Sequence, residues 1–252
     1  MWSFLYGRSH GEVELILDTA PARSAELLAQ DRVNAALVPV IAYQMIEGVQ
    51  LIPDVCVGVR ERVRSVCLVT KGIDLADVRS VSLDTSSRTS AALTKIIFRE
   101  FLGFEPEWRN TRPDIDAMLS ESDAALLIGD PALRISANRR IQTSDSGLRY
   151  FDLAELWHQH TGLGFVFAMW MTRRESVSIN FAAARDEGLA HIDEIVANYE
   201  NDIRLSRDEM RKYLSQNISY SIDDSMKKGM ELYFKLAARH GLIEQNRSLN
   251  FI

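Results

Sequence analysis

The 252 residues are 46% hydrophobic and 25% charged, with a formal net charge of -6. That is the composition of a globular chain large enough for a full core and two lobes, and its acidity argues against a nucleic-acid groove, which presents a basic face. No apolar run approaches the roughly 18 residues of a membrane span, and the N-terminus lacks the basic, apolar, small-residue order of a signal peptide.

Cys56 and Cys67 sit in the runs Val-Cys-Val and Val-Cys-Leu, where buried free thiols fit better than a disulfide or a metal pair. A cytoplasmic location is therefore expected. In chain order, Trp2, Leu5 and Tyr6 predict the end of a short helix stopped by Gly7. Glu12 to Leu17 alternates Val13, Leu15 and Leu17, the pattern of a half-buried strand, and Pro21 opens a helix through Ala29. Ala35 to Val40 is a continuous apolar run of the kind a parallel sheet buries on both faces. Pro39 cannot donate to a ladder, so it marks the strand's end, and such carboxyl ends border ligand clefts. Leu51 to Val59 and Val63 to Val69 predict two further strands.

From Lys71 the pattern restarts, with a turn at Gly72, a short amphipathic piece around Leu75 and Val78, a strand at Val81, and a helix from about Arg88 to Leu102 that Gly103 closes. Glu105 to Asn110 reads as a strand and Ile115 to Ser120 as a short helix. The apolar strand Ala124 to Ile128 runs directly into Gly129, Asp130 and Pro131. Phe151 to His160 reads as a helix, Thr161 to Gly164 as a loop, and Phe165 to Met171 as a long apolar run. The tail is helical over roughly Ser178 to Tyr199, Ser206 to Leu214 and Ile222 to Leu242, with Met226, Met230, Tyr233 and Phe234 as core.

The densest chemistry lies between Asp84 and Ser90, where strand becomes helix through a cluster of hydroxyls. A helix starting there has unpaired N–H groups and the positive end of its dipole facing the turn, which suits a carboxylate or phosphate. Ser86, Ser87, Thr89 and Ser90 add neutral donors and Arg88 a cation. One hydroxyl suffices for a cap, and four exceed that need. Asp130 stands where a strand end meets a helix start, either as a reacting or orienting carboxylate or as an ordinary N-cap. His158 and His160 fall on different helical faces, and His10, His191 and His240 are scattered, so no metal site is expected. Zinc spacing, a glycine-rich phosphate loop, a Gly-x-Ser-x-Gly elbow and a Walker sequence are all missing from the chain.

Short buried strands alternating with helices in two successive sets predict an α/β, two-lobed architecture, with 1–68 plus 166–252 in the first lobe and 69–165 in the second. The runs at Val63 and Phe165 are expected to lie side by side as a hinge. The turns after Val40, Asp84, Ile128 and Thr161 would then surround a small ligand in the cleft.

Five blocks, Leu37-Val-Pro-Val-Ile-Ala-Tyr43, Val63-Arg-Ser-Val66, Asp84-Thr-Ser-Ser-Arg-Thr-Ser90, Leu127-Ile-Gly-Asp-Pro-Ala-Leu133 and Thr161-Gly-Leu-Gly-Phe-Val-Phe-Ala-Met-Trp170, resemble in order and spacing the chorismate dehydratase family of the futalosine route to menaquinone. The resemblance spans nearly the whole chain. It implies a fold like that of the type 2 periplasmic binding proteins, a cleft between lobes, and removal of water from chorismate without metal or organic cofactor. In that chemistry Asp130 is the candidate catalytic residue, a proton-handling or orienting carboxylate, with the structural cap as its other reading. Pro39, Ser65, Thr85, Ser86, Ser87, Thr89, Ser90, Gly129, Gly162 and Leu163 are the substrate-binding positions. The implied partner is a small dicarboxylate, with no nucleic acid or membrane, and a homodimer is compatible with it. A non-catalytic carboxylate-binding protein, a scaffold lobe, and the sister enzyme acting on cyclic dehypoxanthine futalosine are the alternatives. Gly164 departs from the family, which more often has Pro there, and is expected to loosen its loop.

Family members open with a strand ending in a Ser-Tyr-Leu-Asn type sequence, whose Asn resembles a cleft residue important for the reaction. No counterpart precedes Trp2. The expectation is an N-terminally shortened chain of low activity, with a gap or a forced pairing between the Glu12 and Ala35 strands, since unpaired strand groups are costly inside a sheet.

Overall fold

In a computed structural model that describes residues 1–17, 21–84, 86–137, 147–203 and 205–252, the apolar runs fold into two sheets. The first holds β1 (Ala35–Pro39), β2 (Gln50–Val59) and β8 (Phe165–Thr172) in the order β1-β8-β2, with β8 antiparallel to both. The second holds β3 (Val66–Thr70), β4 (Ser80–Asp84), β5 (Glu107–Thr111), β6 (Ala124–Ile128) and β7 (Arg149–Asp152) in the order β5-β4-β6-β3-β7. Within it β5, β4 and β6 are parallel, while β3 is antiparallel to β6 and β7.

Helices α1 (Trp2–Leu5), α2 (Pro21–Ala29) and α3 (Ala42–Met45) belong to the first half of the chain. Next come α4 (Arg88–Ile96), extended by a π-helical turn over Ile97–Leu102, then α5 (Ile115–Glu121), α6 (Gly129–Ala137) and α7 (Leu153–Thr161). The tail supplies α8 (Phe181–Ala190), α9 (Ile192–Ile203), α10 (Arg207–Lys212) with a π-helical turn over Tyr213–Asn217, and α11 (Asp224–Arg239).

Strand periodicity explains the burial. Val66 and Leu68 of β3 and Ala124 and Leu126 of β6 face the main core, whereas Cys67, Val69, Ala125 and Leu127 face a second cluster with Met118, Leu119 and Ala132. A sheet covered on both faces requires the unbroken apolar runs seen in these two strands. The main core continues into the first sheet through Val38, Leu51 and Phe165, with Tyr233 and Phe234 of α11 packed among them, so those aromatic positions are core as the sequence suggests. Cys56 and Cys67 are buried free thiols.

Several expectations need correction. Glu12 to Leu17 forms no strand. An open cavity of about 820 Å3 lies between this segment and Ala35–Val38, so neither has the other as a ladder partner and, among the described residues, β1 pairs with β8 alone. The Ala35 run is antiparallel to its neighbour, not parallel, because β8 returns from the second sheet in the opposite direction. Val63 to Val69 is not one strand. Arg64 sits in the left-handed region at φ 66° and breaks the extended run, so β3 starts at Val66. Val66, Cys67 and Leu68 therefore pair in the second sheet, with β6 and β7, and are not paired with Phe165 to Met171 as the expected hinge would have them. Phe151 and Asp152 end β7 and only then does a helix begin.

The loop at Gly164 is pinned where loosening was expected. Its N–H donates to Ser225 Oγ at 3.0 Å, a bond proline could not make, and a Cβ built on Gly229 of α11 would stand 2.0 Å from the Gly164 carbonyl oxygen. Helix propensity alone favours alanine over glycine by about 1 kcal/mol. Gly229→Ala is nevertheless expected to destabilise by about 2 kcal/mol, because the oxygen it meets is backbone and cannot step aside. Urea unfolding decides, and a variant as stable as the parent would show that the contact yields.

Candidate functional site

The shared direction of β4, β5, β6 and β7 and the reversed direction of β3 bring five chain ends to one edge of the second sheet. Asp84 ends β4 in register with Thr111, which ends β5; Ile128 ends β6 opposite Val66, which starts β3; and Asp152 ends β7 opposite Cys67. In a parallel arrangement this carboxyl edge is where turns gather around a ligand.

At the start of α4 each hydroxyl has a local use. Ser87 is the N-cap, accepting the Ser90 N–H at 3.3 Å and donating to Ser90 Oγ at 2.8 Å. Ser86 donates through both its N–H and its hydroxyl to one oxygen of Asp84, at 2.8 and 2.7 Å. Thr89 Oγ1 accepts the N–H of Ile41 at 3.3 Å, tying the chain that leaves β1 after Pro39 to the helix start. Tyr233 of α11 donates to the Thr89 carbonyl. Ser87, Thr89 and Ser90 are buried, Ser86 is half-buried and Arg88 is exposed. Thr85 lies outside the described residues.

Next to this cluster the end of β6 turns at Gly129, whose φ of 63° favours glycine, and its N–H donates to the Ser65 carbonyl at 2.7 Å. Gly129 and Asp130 are exposed in the first turn of α6, and no hydrogen bond or ion pair of the Asp130 carboxylate occurs among the described residues. The cap role open to Asp130 on sequence grounds is therefore not the one its side chain plays. Ser65 Oγ accepts from the Tyr213 hydroxyl at 2.9 Å. Gly162 and Leu163 stand apart from this edge in a turn whose Leu163 carbonyl meets His158 Nδ1, and α11 joins them to the Thr89 side. The edge thus brings together Ser65, Ser86, Ser87, Thr89, Ser90, Gly129 and Asp130, with Pro39 reaching it through Ile41.

Sequence reasoning missed three residues here. Asp152 is buried at the lobe crossing and accepts the N–H groups of Val63 and Arg64 as well as those of Ala154 and Glu155, which it caps. Burial pushes its carboxyl above the ordinary range, with the backbone donors opposing that shift. The Asp152-Leu-Ala-Glu155 spacing of a helix start could have revealed the cap, though not the crossing it holds. Thr111 has a buried hydroxyl with no partner among the described residues, and Tyr213 comes from the tail. Neither carries a local signal.

The model of a family described as menaquinone biosynthesis matches residues 2–239. The chain belongs to that family. Among similar proteins, the chorismate dehydratase of Thermus thermophilus is 30% identical over 233 residues, 86% of this chain and 84% of the relative. A crystal structure of an Archaeoglobus fulgidus protein is 19% identical at TM-score 0.65 and covers 96% of this chain and 94% of that one. The periplasmic aliphatic sulphonate binding protein SsuA of Escherichia coli is 12% identical at TM-score 0.57, covering 90% and 77%. A Candida albicans protein described as having the generic periplasmic binding protein fold is 12% identical at TM-score 0.60, covering 92% and 81%. The periplasmic-binding-protein-like α/β fold expected from sequence is thus the fold of this member of the menaquinone biosynthesis family. No helix among the described residues is long and apolar enough to cross a membrane.

Asp152→Asn replaces one accepting oxygen by an NH2 group that can only donate, leaving buried N–H groups that meet that oxygen unpaired. The expected loss is about 3 kcal/mol in chemical unfolding. A variant within about 0.5 kcal/mol of the parent, the range of an ordinary surface change, would mean that the crossing is held by its flanking strands alone.

Proposed function

We propose that this chain is a cytoplasmic chorismate dehydratase, a hydro-lyase of the futalosine route, converting chorismate to an enolpyruvyl-benzoate and water. The observation that carries the reading is the 30% identity to a chorismate dehydratase over 86% of this chain, with three of the five blocks, those at Val63, Asp84 and Leu127, meeting at one sheet edge. Chorismate bears two carboxylates. The start of α4 offers N–H groups and neutral hydroxyls to one of them, and Thr111, whose buried hydroxyl has no partner among the described residues, stands in register with Asp84 beside it.

The ring proton to be lost is vinylogous to the ring carboxylate, so donors on that carboxylate stabilise charge as it develops and also fix the substrate. The C–H electron pair becomes part of the aromatic ring, and the hydroxyl leaves with a proton as water. Aromatisation supplies the driving force, and positioning supplies much of the rate. Asp130, exposed and without a structural partner, is the carboxylate assigned to proton handling at this edge. Pro39, Ser65 and Gly129 complete the proposed substrate contacts at this edge, and Gly162, Leu163 and Thr85 are proposed on the resemblance alone. The proposed division places the two sheets in separate lobes around this cleft, and a homodimer is compatible with it.

Mixed with chorismate, the protein is expected to produce an aromatic ultraviolet spectrum. A thermal shift without product would make it a carboxylate-binding protein, and turnover of cyclic dehypoxanthine futalosine instead would make it the sister enzyme. Asp130→Asn should lower kcat by about 100-fold with a small change in KM. An unchanged kcat removes Asp130 from the reaction. Ser86→Ala should weaken chorismate binding by about 1 to 2 kcal/mol with little loss of stability, because Ser86 neither caps α4 nor holds β1. Calorimetric titration showing parental affinity for all four alanine variants at Ser86, Ser87, Thr89 and Ser90 would place the carboxylate elsewhere.

A further inference from the structure

A serine hydroxyl carries one hydrogen and two lone pairs, so what it offers a ligand depends on which of these the protein has already engaged. Ser65 is 6% exposed, and its oxygen accepts a hydrogen bond from the Tyr213 hydroxyl at 2.9 Å. Its carbonyl is engaged by Gly129, and the two residues before it are held through their N–H groups by Asp152. The hydrogen of the Ser65 hydroxyl has no acceptor among the described residues. Tyr213 thus takes one lone pair of the hydroxyl and Gly129 takes the carbonyl, at the point where Gly129 and Asp130 meet the chain between β2 and β3.

Tyr213 reaches this point because the tail is wound wide there. The π-helical turn Tyr213–Asn217 follows α10, and Asn217 at its other end donates to the Arg62 carbonyl at 3.4 Å. The turn therefore grips the crossing at both Arg62 and Ser65. Such insertions turn a side chain out of the ordinary helical register and occur often at functional sites. We propose that Tyr213 is a positioning residue that fixes the Ser65 hydroxyl as a hydrogen-bond donor toward a substrate oxygen. This rests on the reading of the edge as the chorismate site and adds the tail to it. Burial holds the phenol above its usual range, so Tyr213 remains a donor at neutral pH and cannot exchange roles with Ser65 by ionising.

The test is a double-mutant cycle on kcat/KM with chorismate in the full chain, using Tyr213→Phe, Ser65→Ala and the pair. Each single variant is expected to lose about 10-fold, the size of one net hydrogen bond, and the pair about the same 10-fold, because the tyrosine acts only through the serine. A merely structural tyrosine predicts the opposite, a loss in the pair equal to the product of the two single losses. That result, or parental kcat/KM in Tyr213→Phe, overturns the proposal. Ser65→Ala leaves the Tyr213 ring in place, so should Tyr213→Phe not fold, parental kcat/KM in Ser65→Ala still overturns it. A parent that does not turn over chorismate sinks the function itself, and this role falls with it; a parent that does, with an unchanged Tyr213→Phe, sinks the tyrosine's role alone.

Discussion

A carboxylate buried at the crossing between two sheets must be met by donors, and the rest of this site follows from how the chain meets Asp152. The N–H groups of Val63 and Arg64 arrive from the crossing, those of Ala154 and Glu155 from the start of α7, and the Tyr150 hydroxyl from β7. Arg62 lies 3.8 Å away at the exposed side. Satisfying this group forces Arg64 into the left-handed region, and that bend delivers Ser65 to the end of β6. The backbone from Val63 to Ser65 is thereby fixed against the second sheet, with the Ser65 side chain at the candidate site.

How much of this was legible depends on the range of the determining interaction. The helix at Pro21, the strands at Val81 and Ala124, and the α4 cap at Ser87 are local, and the pattern gave each to within a few residues. The strand expected at Glu12 has the alternation but no partner, and alternation without a ladder leaves extended chain. β7 escaped because Phe151 and Asp152 read equally well as a helix start, and only pairing with β3 separates the two. At the site, the hydroxyls around Ser87 announce themselves by density. Asp152, Thr111 and Tyr213 act across 89, 27 and 148 residues of chain, to Val63, Asp84 and Ser65, and no local spacing encodes them.

The hydroxyl cluster also shows why an excess of polar groups is not by itself a measure of a ligand site. Ser87 closes α4 and donates to Ser90, Thr89 holds the β1 exit and Ser86 folds the turn onto Asp84, so all four are engaged in shaping the pocket wall. These uses are compatible with ligand contact. The Thr89 and Ser86 oxygens retain unused lone pairs or rotameric freedom, and a helix start keeps its N–H groups pointing outward once a single cap is made. The distinction that matters is between hydroxyls whose loss unfolds the wall and those whose loss only removes a donor, and burial sorts them: Ser86 is half-buried where the others are buried.

The two sides of the site are not equally rigid. The second sheet buries both faces and clamps its edge through Asp152, whereas β1 is paired on one side only and borders an open cavity on the other. Yet it is the exit of β1, past Pro39 to the Ile41 N–H, that closes over Thr89. An edge strand with an unpaired ladder is the element most ready to shift, since few backbone bonds oppose its movement. A ligand bridging Thr89 and the β1 exit would supply contacts that the first sheet lacks, and binding that favours one arrangement stabilises it in proportion to affinity. A ligand held there would bear on the first sheet through the one hydrogen bond from the Ile41 N–H to Thr89, while the second sheet keeps its edge fixed through Asp152.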